Sequence, residues 1–198
     1  MRGHSTPRPM LLALATVLLA GTASAQIEAP LDIVKALTCE ITAPAYIGFA
    51  MNLGDLDAGY RSRGWSKQES GTPFLSQYRL PRPIEVAGYR TSTIVFSGSG
   101  IAAVLDVADP ATVAKPLGVV NTIMSREAAA AALGLTPQQA AQLPPVTSFR
   151  GERLVLDTTE KNAGVRLRTR IVQSVANDDA HPGTTLLGCA YNIEVLDN

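Results

Sequence analysis

The amino-acid sequence predicts a mainly β, α+β fold: a single antiparallel-sheet domain with a short helical insert, whose N- and C-terminal strands are tied by a disulfide. Strand-like segments separated by turn signals occupy residues 74–107 and again residues 152–196. Between them, residues 109–145 contain the helix caps, alanine runs and prolines that are typical of short helices. Cys39 and Cys189 lie near opposite ends of this arrangement.

The first 25 residues have the layout of a secretory signal peptide. A basic start containing Arg2 and Arg8 is followed by an apolar run over residues 10–20, and Ala23-Ser24-Ala25 forms a cleavage site. The apolar run is too short to cross a bilayer, which requires about 20 apolar residues. We therefore expect a signal peptide over residues 1–25, cleaved near Ala25.

The predicted mature chain is a single secreted α+β domain over residues 26–198, periplasmic or extracellular, without a transmembrane segment. Cleavage removes Arg2 and Arg8, so the balance of 17 basic and 17 acidic side chains becomes slightly acidic. Cleavage also removes His4, which leaves His181 as the only histidine of the mature chain. A nucleic-acid-binding protein would carry a basic excess, so this class is excluded.

The N-terminal part of the domain gives weaker signals. Residues 31–37 follow Pro30 and fit either a short helix or an extended segment. A strand is predicted over residues 37–42, and residues 46–49 extend it beyond Pro44. The next segment, residues 52–73, is polar and rich in glycine, which indicates a loop or a bulged strand.

Residues 74–107 are predicted to form an antiparallel meander. Pro81 and Pro83 are predicted to turn the chain, and Ser97-Gly98-Ser99-Gly100 is a hairpin signal. The predicted strands are residues 74–80, 84–89, 91–96 and 101–107.

The second half of the sequence contains the helical insert and three more strands. Asp109 and Ser125 are predicted helix caps, and Gly134 is a predicted helix end. The predicted helices are residues 111–117, residues 125–134 and a turn that begins at Thr136-Pro137. The predicted strands are residues 152–157, 165–175 and 185–196.

Two cysteines in a secreted chain indicate a disulfide. A Cys39–Cys189 bridge would close about 150 residues and restrict the unfolded chain by roughly 5 kcal/mol. Both cysteines lie in strand-like sequence, so we expect the bridge to place the first and last strands side by side. Two free buried thiols or a thiolate nucleophile are the alternatives.

The sequence offers no catalytic residue. Serine hydrolysis needs a base beside the nucleophile, and His181 lies in a predicted loop, while the Ser97–Gly100 segment does not match a nucleophile elbow. One histidine and two bridged cysteines do not make a zinc site. Asp55 and Asp57, or Asp178 and Asp179, could bind calcium, and Asp55 and Asp57 could act as a glycosidase pair. Solvated loop acids are the alternative for both pairs. We expect no cofactor and no metal.

One candidate binding segment lies in the glycine-rich loop. Arg61, Arg63 and Lys67 surround Trp65, the only tryptophan. Tryptophan and arginine are enriched at interface hot spots, so the segment is a candidate partner-binding site. The alternative is that Trp65 packs on the core and the basic side chains are solvated.

A second candidate binding segment lies in the predicted strand over residues 165–175. The period-two geometry of a strand puts Arg166, Arg168 and Arg170 on one face. Three aligned arginines could receive a phosphate, a lipid headgroup or an acidic protein surface. The alternative is a solvated face that pairs with cross-strand acids such as Glu152 or Asp157.

By elimination, the sequence favours a non-enzymatic binding protein of the inhibitor or immunity type, whose partner is a protein or an anionic component of the cell envelope. One alternative is a carboxylate-dependent hydrolase acting on envelope carbohydrate. Another is a structural or assembly module that pairs through exposed strand edges. A deep pocket with two convergent acids would favour the hydrolase, an exposed Trp65 would favour the binding loop, and a long unpaired edge strand would favour assembly.

Overall fold

A computed structural model gives the structure of residues 31–53, 59–143, 148–162, 164–178 and 180–197. The predicted signal peptide lies outside the described residues, as do Asp55 and Asp57 of the glycine-rich segment.

The described strands form one eight-stranded sheet in which every neighbouring pair is antiparallel. Its strand order is β1-β2-β3-β4-β8-β7-β6-β5. The predicted mainly β fold with an antiparallel sheet is therefore confirmed. The strands are β1 (Ser66–Gln68), β2 (Ser76–Val86), β3 (Tyr89–Phe96), β4 (Gly100–Leu105), β5 (Val120–Asn121), β6 (Arg150–Asn162), β7 (Val165–Asn177) and β8 (Thr185–Leu196).

Short helices precede the sheet and connect β4 to β6. In the predicted insert, Asp109 and Ser125 cap helices as expected, and Gly134, two residues after the end of the second of these helices, takes a left-handed φ of 65°. The helices are α1 (Ile33–Leu37), α2 (Ala43–Asn52), α3 (Gly59–Ser62), α4 (Pro110–Ala114), a 3-10 turn (Lys115–Leu117), α5 (Arg126–Ala132) and α6 (Pro137–Ala140).

The predicted N-terminal strand over residues 37–42 and 46–49 is wrong, because this region is helical. Asp32 caps α1 by accepting hydrogen bonds from the amides of Val34 and Lys35. Thr42 caps α2, and Pro44 occupies its first turn, where a missing N–H costs nothing. The buried side chains Tyr46, Phe49 and Leu53 then recur at helical spacing, which places them on one helix face.

The predicted turn at Pro81 and Pro83 is also wrong. Strand β2 continues through both prolines, and the register against β3 shifts between Arg79 and Ile84. The side of β2 that faces away from β3 pairs with β1 only at Gln77–Arg79. Pro81 and Pro83 lie beyond this stretch, where that edge of β2 has no described partner strand and needs no amide donors. The chain turns instead at Ala87 and Gly88, both with positive φ.

The Cys39–Cys189 disulfide is present, with a Cα–Cα distance of 5.4 Å. It does not join two strands, however. Cys39 follows α1 with a φ of 66°, and Cys189 lies in β8, which pairs with β4 and β7 in the middle of the sheet. The bridge therefore fastens the N-terminal helical segment to a central strand.

The hydrophobic core lies between this helical segment and one face of the sheet, here called the front face. Tyr46 of α2 stacks on Tyr191 of β8, with ring centroids 4.5 Å apart. The Tyr191 hydroxyl donates to the carbonyl of Ala36 at 2.7 Å. The core thus covers the front of β2, β3 and β4 and the inner parts of β7 and β8.

Candidate functional site

The outer parts of β6, β7 and β8 extend beyond the rest of the sheet. Strand β8 pairs with β4 only over Thr185–Ala190, and β5 pairs with β6 only at Gly151 and Glu152. Beyond these points β6, β7 and β8 pair only with one another among the described strands. We call residues 156–162, 165–170 and 192–196 the arm.

The front face of the arm carries a group of apolar side chains beside Thr158, Glu160 and Thr169, and no described element packs over its outer part. Register places Leu167, Ile193 and Val195 on the same face as the buried core residues Ile171 and Tyr191. Exposure is 67% for Val195 and 39% for Ile193. Contiguous exposed apolar side chains on a sheet are typical of an interaction surface rather than of an ordinary solvated face.

The back face of the arm is charged. Arg168 donates two hydrogen bonds to the carboxylate of Asp157, at 2.8 and 2.7 Å, and Arg170 lies 3.5 Å from the same carboxylate. The hydrogen bonds from Arg168 hold the pKa of the Asp157 carboxyl below its usual range and raise the pKa of the Arg168 guanidinium. Arg166 lies on the same face, opposite Lys161.

The structure thus brings the three predicted arginines onto one face and sets a cross-strand acid against two of them. This acid is Asp157, whereas Glu152 lies opposite Ser174, away from the arm. Arg168 and Arg170 are already engaged by a carboxylate, which reduces the positive charge that the face presents to an anion. The predicted binding role of these arginines stays a prediction.

Two clefts flank α2 at the base of the arm. One has a volume of about 590 Å³ and runs between α2, the β3–β4 turn and Ile193, with the exposed side chains of Met51 and Phe74 at its rim. The other, of about 580 Å³, lies between residues 39–44 and the front of β6 and β7. Both clefts open onto the front face of the arm, so the apolar surface continues from the arm to α2.

The Trp65 segment has a different environment. The Trp65 ring lies 6.3 Å from Phe49, 6.0 Å from Tyr78 and 6.5 Å from Phe96 between centroids, and it is half-buried against the core. The Arg63 guanidinium lies 4.8 Å from the centroid of the Phe49 ring. Trp65 is therefore part of an aromatic cluster that attaches α3 and β1 to the sheet.

Arg61 and Lys67 lie beside this cluster. Arg61 is exposed and stacks on the ring of Tyr60, at 5.4 Å. Lys67 lies on β1, at the opposite end of the sheet from β6. Five strand spacings, or roughly 24 Å, separate β1 from β7, so the two predicted basic segments form separate surfaces. The predicted binding role of Arg61, Arg63, Trp65 and Lys67 stays a prediction.

One side-chain pair was missed by the sequence reasoning. His181 Nδ1 lies 2.6 Å from Oδ2 of Asp178, which is only 4% exposed. The other Asp178 oxygen accepts from the amide of Ala180, which shapes the β7–β8 loop. The spacing of three residues was visible in the sequence, but nothing there showed that Asp178 is buried. The Thr184 hydroxyl donates to the His181 carbonyl at 2.7 Å and lies 3.5 Å from Asp178 Oδ2, so this pair contributes to holding the loop.

Two acidic side chains line the same cleft in the described part of the chain. Glu40 and Glu160 both line the cleft beside residues 39–44, and both are exposed. The described residues contain no group of three or more His, Cys, Asp or Glu side chains that could hold a metal ion. None of the described helices has the length and apolarity needed to span a bilayer.

Comparison with protein-family models, with curated protein sequences and with solved structures found no match for this chain.

Proposed function

We propose that this chain is an exported, non-enzymatic binding protein that recognises a protein partner through the front face of the arm. The observation that carries the proposal is the group of exposed apolar side chains Leu156, Val165, Ile193 and Val195, which lie on one face of β6, β7 and β8 beyond the core. Exposing these side chains to water is unfavourable, and burial against a partner removes that cost.

The shape of the surface supports a protein as the partner. The front face of the arm is three strands wide and merges with two shallow clefts, whereas a small ligand is usually enclosed in one deep pocket. The two faces of the arm also differ, since the front carries most of the apolar side chains and the back carries Asp157, Lys161 and arginines. On the front, Thr158 and Glu160 of β6 border the apolar side chains, and an apolar centre with a polar rim is the usual anatomy of a protein interface.

Export is supported by two features of the chain. The signal-peptide pattern over residues 1–25 predicts secretion, and the Cys39–Cys189 bridge is of the kind that persists in oxidising compartments. We therefore propose a periplasmic or extracellular location for the mature domain.

The carboxylate-dependent hydrolase is the second candidate, because Glu40 and Glu160 line one cleft. Both glutamates are exposed, however, and a general acid in a glycosidase is usually held in a desolvated site that raises its pKa. If a Glu40→Gln/Glu160→Gln variant abolished a hydrolytic activity of the folded protein, this second candidate would replace the binding function.

The proposed function is tested by capturing partners from an exported-protein fraction with matched variants. Val195 and Leu133 are 67% and 68% exposed, and Leu133 directly follows α5, outside the arm. We expect Val195→Glu to lower partner recovery at least about tenfold, as loss of an interface anchor does, while Leu133→Glu leaves recovery unchanged.

A third variant compares the arm with the Trp65 segment. If Trp65→Ala/Arg63→Ala loses the partner while Val195→Glu keeps it, the binding surface is the Trp65 segment and the arm proposal is wrong. Because Trp65 packs on the core, the thermal stability of this variant is measured alongside its binding.

A further inference from the structure

The two edges of the sheet are protected to very different degrees. On the β2 side, β1 covers Gln77–Arg79, and Pro81 and Pro83 remove amide donors from the strand beyond it. On the other side, β5 covers only Gly151 and Glu152 of β6. From Arg153 to Asn162 the outer edge of β6 has no neighbouring strand among the described residues, and this stretch contains no proline.

The usable part of this edge is regular and long enough for pairing. A bulge between Leu154 and Leu156 interrupts the register of β6, and the strand then pairs residue by residue with β7 up to Asn162. The seven residues 156–162 exceed the usual length of a strand, about five to six residues. An edge of this kind is suited to accept a further strand.

The charge pattern of β6 is complementary to itself. In a two-fold antiparallel pair of β6 strands, one residue faces its own copy at the centre. A centre on Asp157, Glu160 or Lys161 would put like charges opposite each other, and a centre on Thr158 would leave each of these charged residues opposite an uncharged one. A centre on Thr159 instead places Asp157 opposite Lys161 of the second copy, and does so twice. Both side chains lie on the back face, where Asp157 already accepts two hydrogen bonds from Arg168 of its own chain, so Lys161 of the second copy would join an existing ion pair.

We infer that β6 pairs antiparallel with β6 of a second copy of this chain, in the register centred on Thr159. The pairing joins two arms into one continuous six-stranded sheet whose front carries most of the apolar side chains and whose back is charged. This pairing rests on the proposed function in one respect, namely that the arm is a binding surface. It assigns a second copy of the chain to the open edge of β6.

The test uses the whole mature protein in sedimentation equilibrium. We expect a reversible dimer for the wild type. Lys161→Glu replaces two attractive pairs by two repulsive ones, and we expect it to raise the dimer dissociation constant at least about tenfold. Lys35→Glu makes the same charge change on α1 and is expected to leave the constant unchanged.

A second pair of variants tests the register. Thr159→Cys puts two thiols opposite each other across the two-fold axis and is expected to give a disulfide-linked dimer under mild oxidation. Thr158→Cys places the thiols two residues out of register, beyond the Cα separation of about 7 Å that a disulfide tolerates. It is expected to stay uncrosslinked.

The inference is overturned by a wild type that stays monomeric, by a dimer that Lys161→Glu does not weaken, or by equal cross-linking of both cysteine variants. A monomer that still loses its partner on Val195→Glu would leave the proposed function standing and remove only the second copy. A dimer with the expected register, together with unchanged partner capture by Val195→Glu, would support the β6 pairing and contradict the proposed function.

Discussion

At the scale of single residues, two stacked tyrosines in the core differ in whether their hydroxyl groups form a hydrogen bond. Tyr191 donates to the carbonyl of Ala36, whereas the hydroxyl of Tyr46 is buried and has no hydrogen-bond partner in the described structure. Burial raises the pKa of both phenols well above the ordinary value. The two rings are 4.5 Å apart, so the same substitution can be compared in almost the same place.

We expect Tyr191→Phe to lower the free energy of unfolding by about 0.5–1.5 kcal/mol, plus the cost of leaving the Ala36 carbonyl unpaired. Tyr46→Phe loses no hydrogen bond and removes a buried, unsatisfied hydroxyl, so its stability is expected to equal or exceed that of the wild type. Urea unfolding of the two variants measures this difference. A larger loss for Tyr46→Phe than for Tyr191→Phe would contradict the described contacts.

The Asp157–Arg168 pair makes the free energy of unfolding depend on pH, and the direction of that dependence follows from the lowered pKa of Asp157. Because the folded-state pKa of Asp157 is lowered, its stabilising contribution is present above the unfolded pKa and is lost as the pH falls through the folded pKa. The relevant window therefore lies below the ordinary aspartate value of about 3.9.

An NMR titration of the Asp157 carboxyl carbon measures this pKa. We expect Arg168→Gln to raise the pKa of Asp157 towards the ordinary value. Arg166→Gln is the control, since Arg166 lies on the same face but makes no described contact with Asp157. Equal titration of Asp157 in wild type and Arg168→Gln would show that the bidentate pair is not formed in solution.

At the scale of elements, β8 passes through two environments on one face. Leu187 is fully buried opposite Val175, and Val195 lies in the arm at 67% exposure. We expect Leu187→Ala to cost about 2–5 kcal/mol of stability and Val195→Ala less than about 0.5 kcal/mol. Thermal or urea unfolding checks both values. A large loss at Val195 would mean that the arm is packed against something in the folded monomer.

Local signals predicted some elements and missed others for physical reasons. The hairpin around Ser97–Gly100, the helix bounded by Ser125 and Gly134, and the last three strands carried their own turn or cap residues, and all are present. Helix α2 was missed because Tyr46 and Phe49 favour strands as isolated residues, and only packing against Tyr191 and Phe96 selects the helix.

The arm could not be predicted from alternation alone. Val165, Leu167 and Ile171 follow the same period-two pattern, but only Ile171 is covered by the core. Whether an apolar strand residue is buried depends on which elements pack against it, and that is decided by the strand order. The central position of β8 is likewise a property of topology, since the disulfide fixes only the position of Cys39 relative to it.

At the scale of the whole molecule, the sheet has a stable centre and an open end. The disulfide, α1 and α2 fasten the front of the central strands, whereas the arm at one end has exposed side chains on both faces and an edge without a neighbour among the described strands. The Trp65 cluster lies at the opposite end and serves packing. This polarity separates a structural core from the surface that we assign to binding.

Hydrogen–deuterium exchange of the mature protein, free and bound to its captured partner, tests this assignment most directly. In the free protein we expect rapid exchange along the outer edge of β6 and slow exchange in β4 and the inner part of β8, because exposed edges open at low free energy. On binding, we expect new protection of the backbone amides in the arm. Protection that appears around Trp65 and β1 while the arm exchanges as before would contradict it.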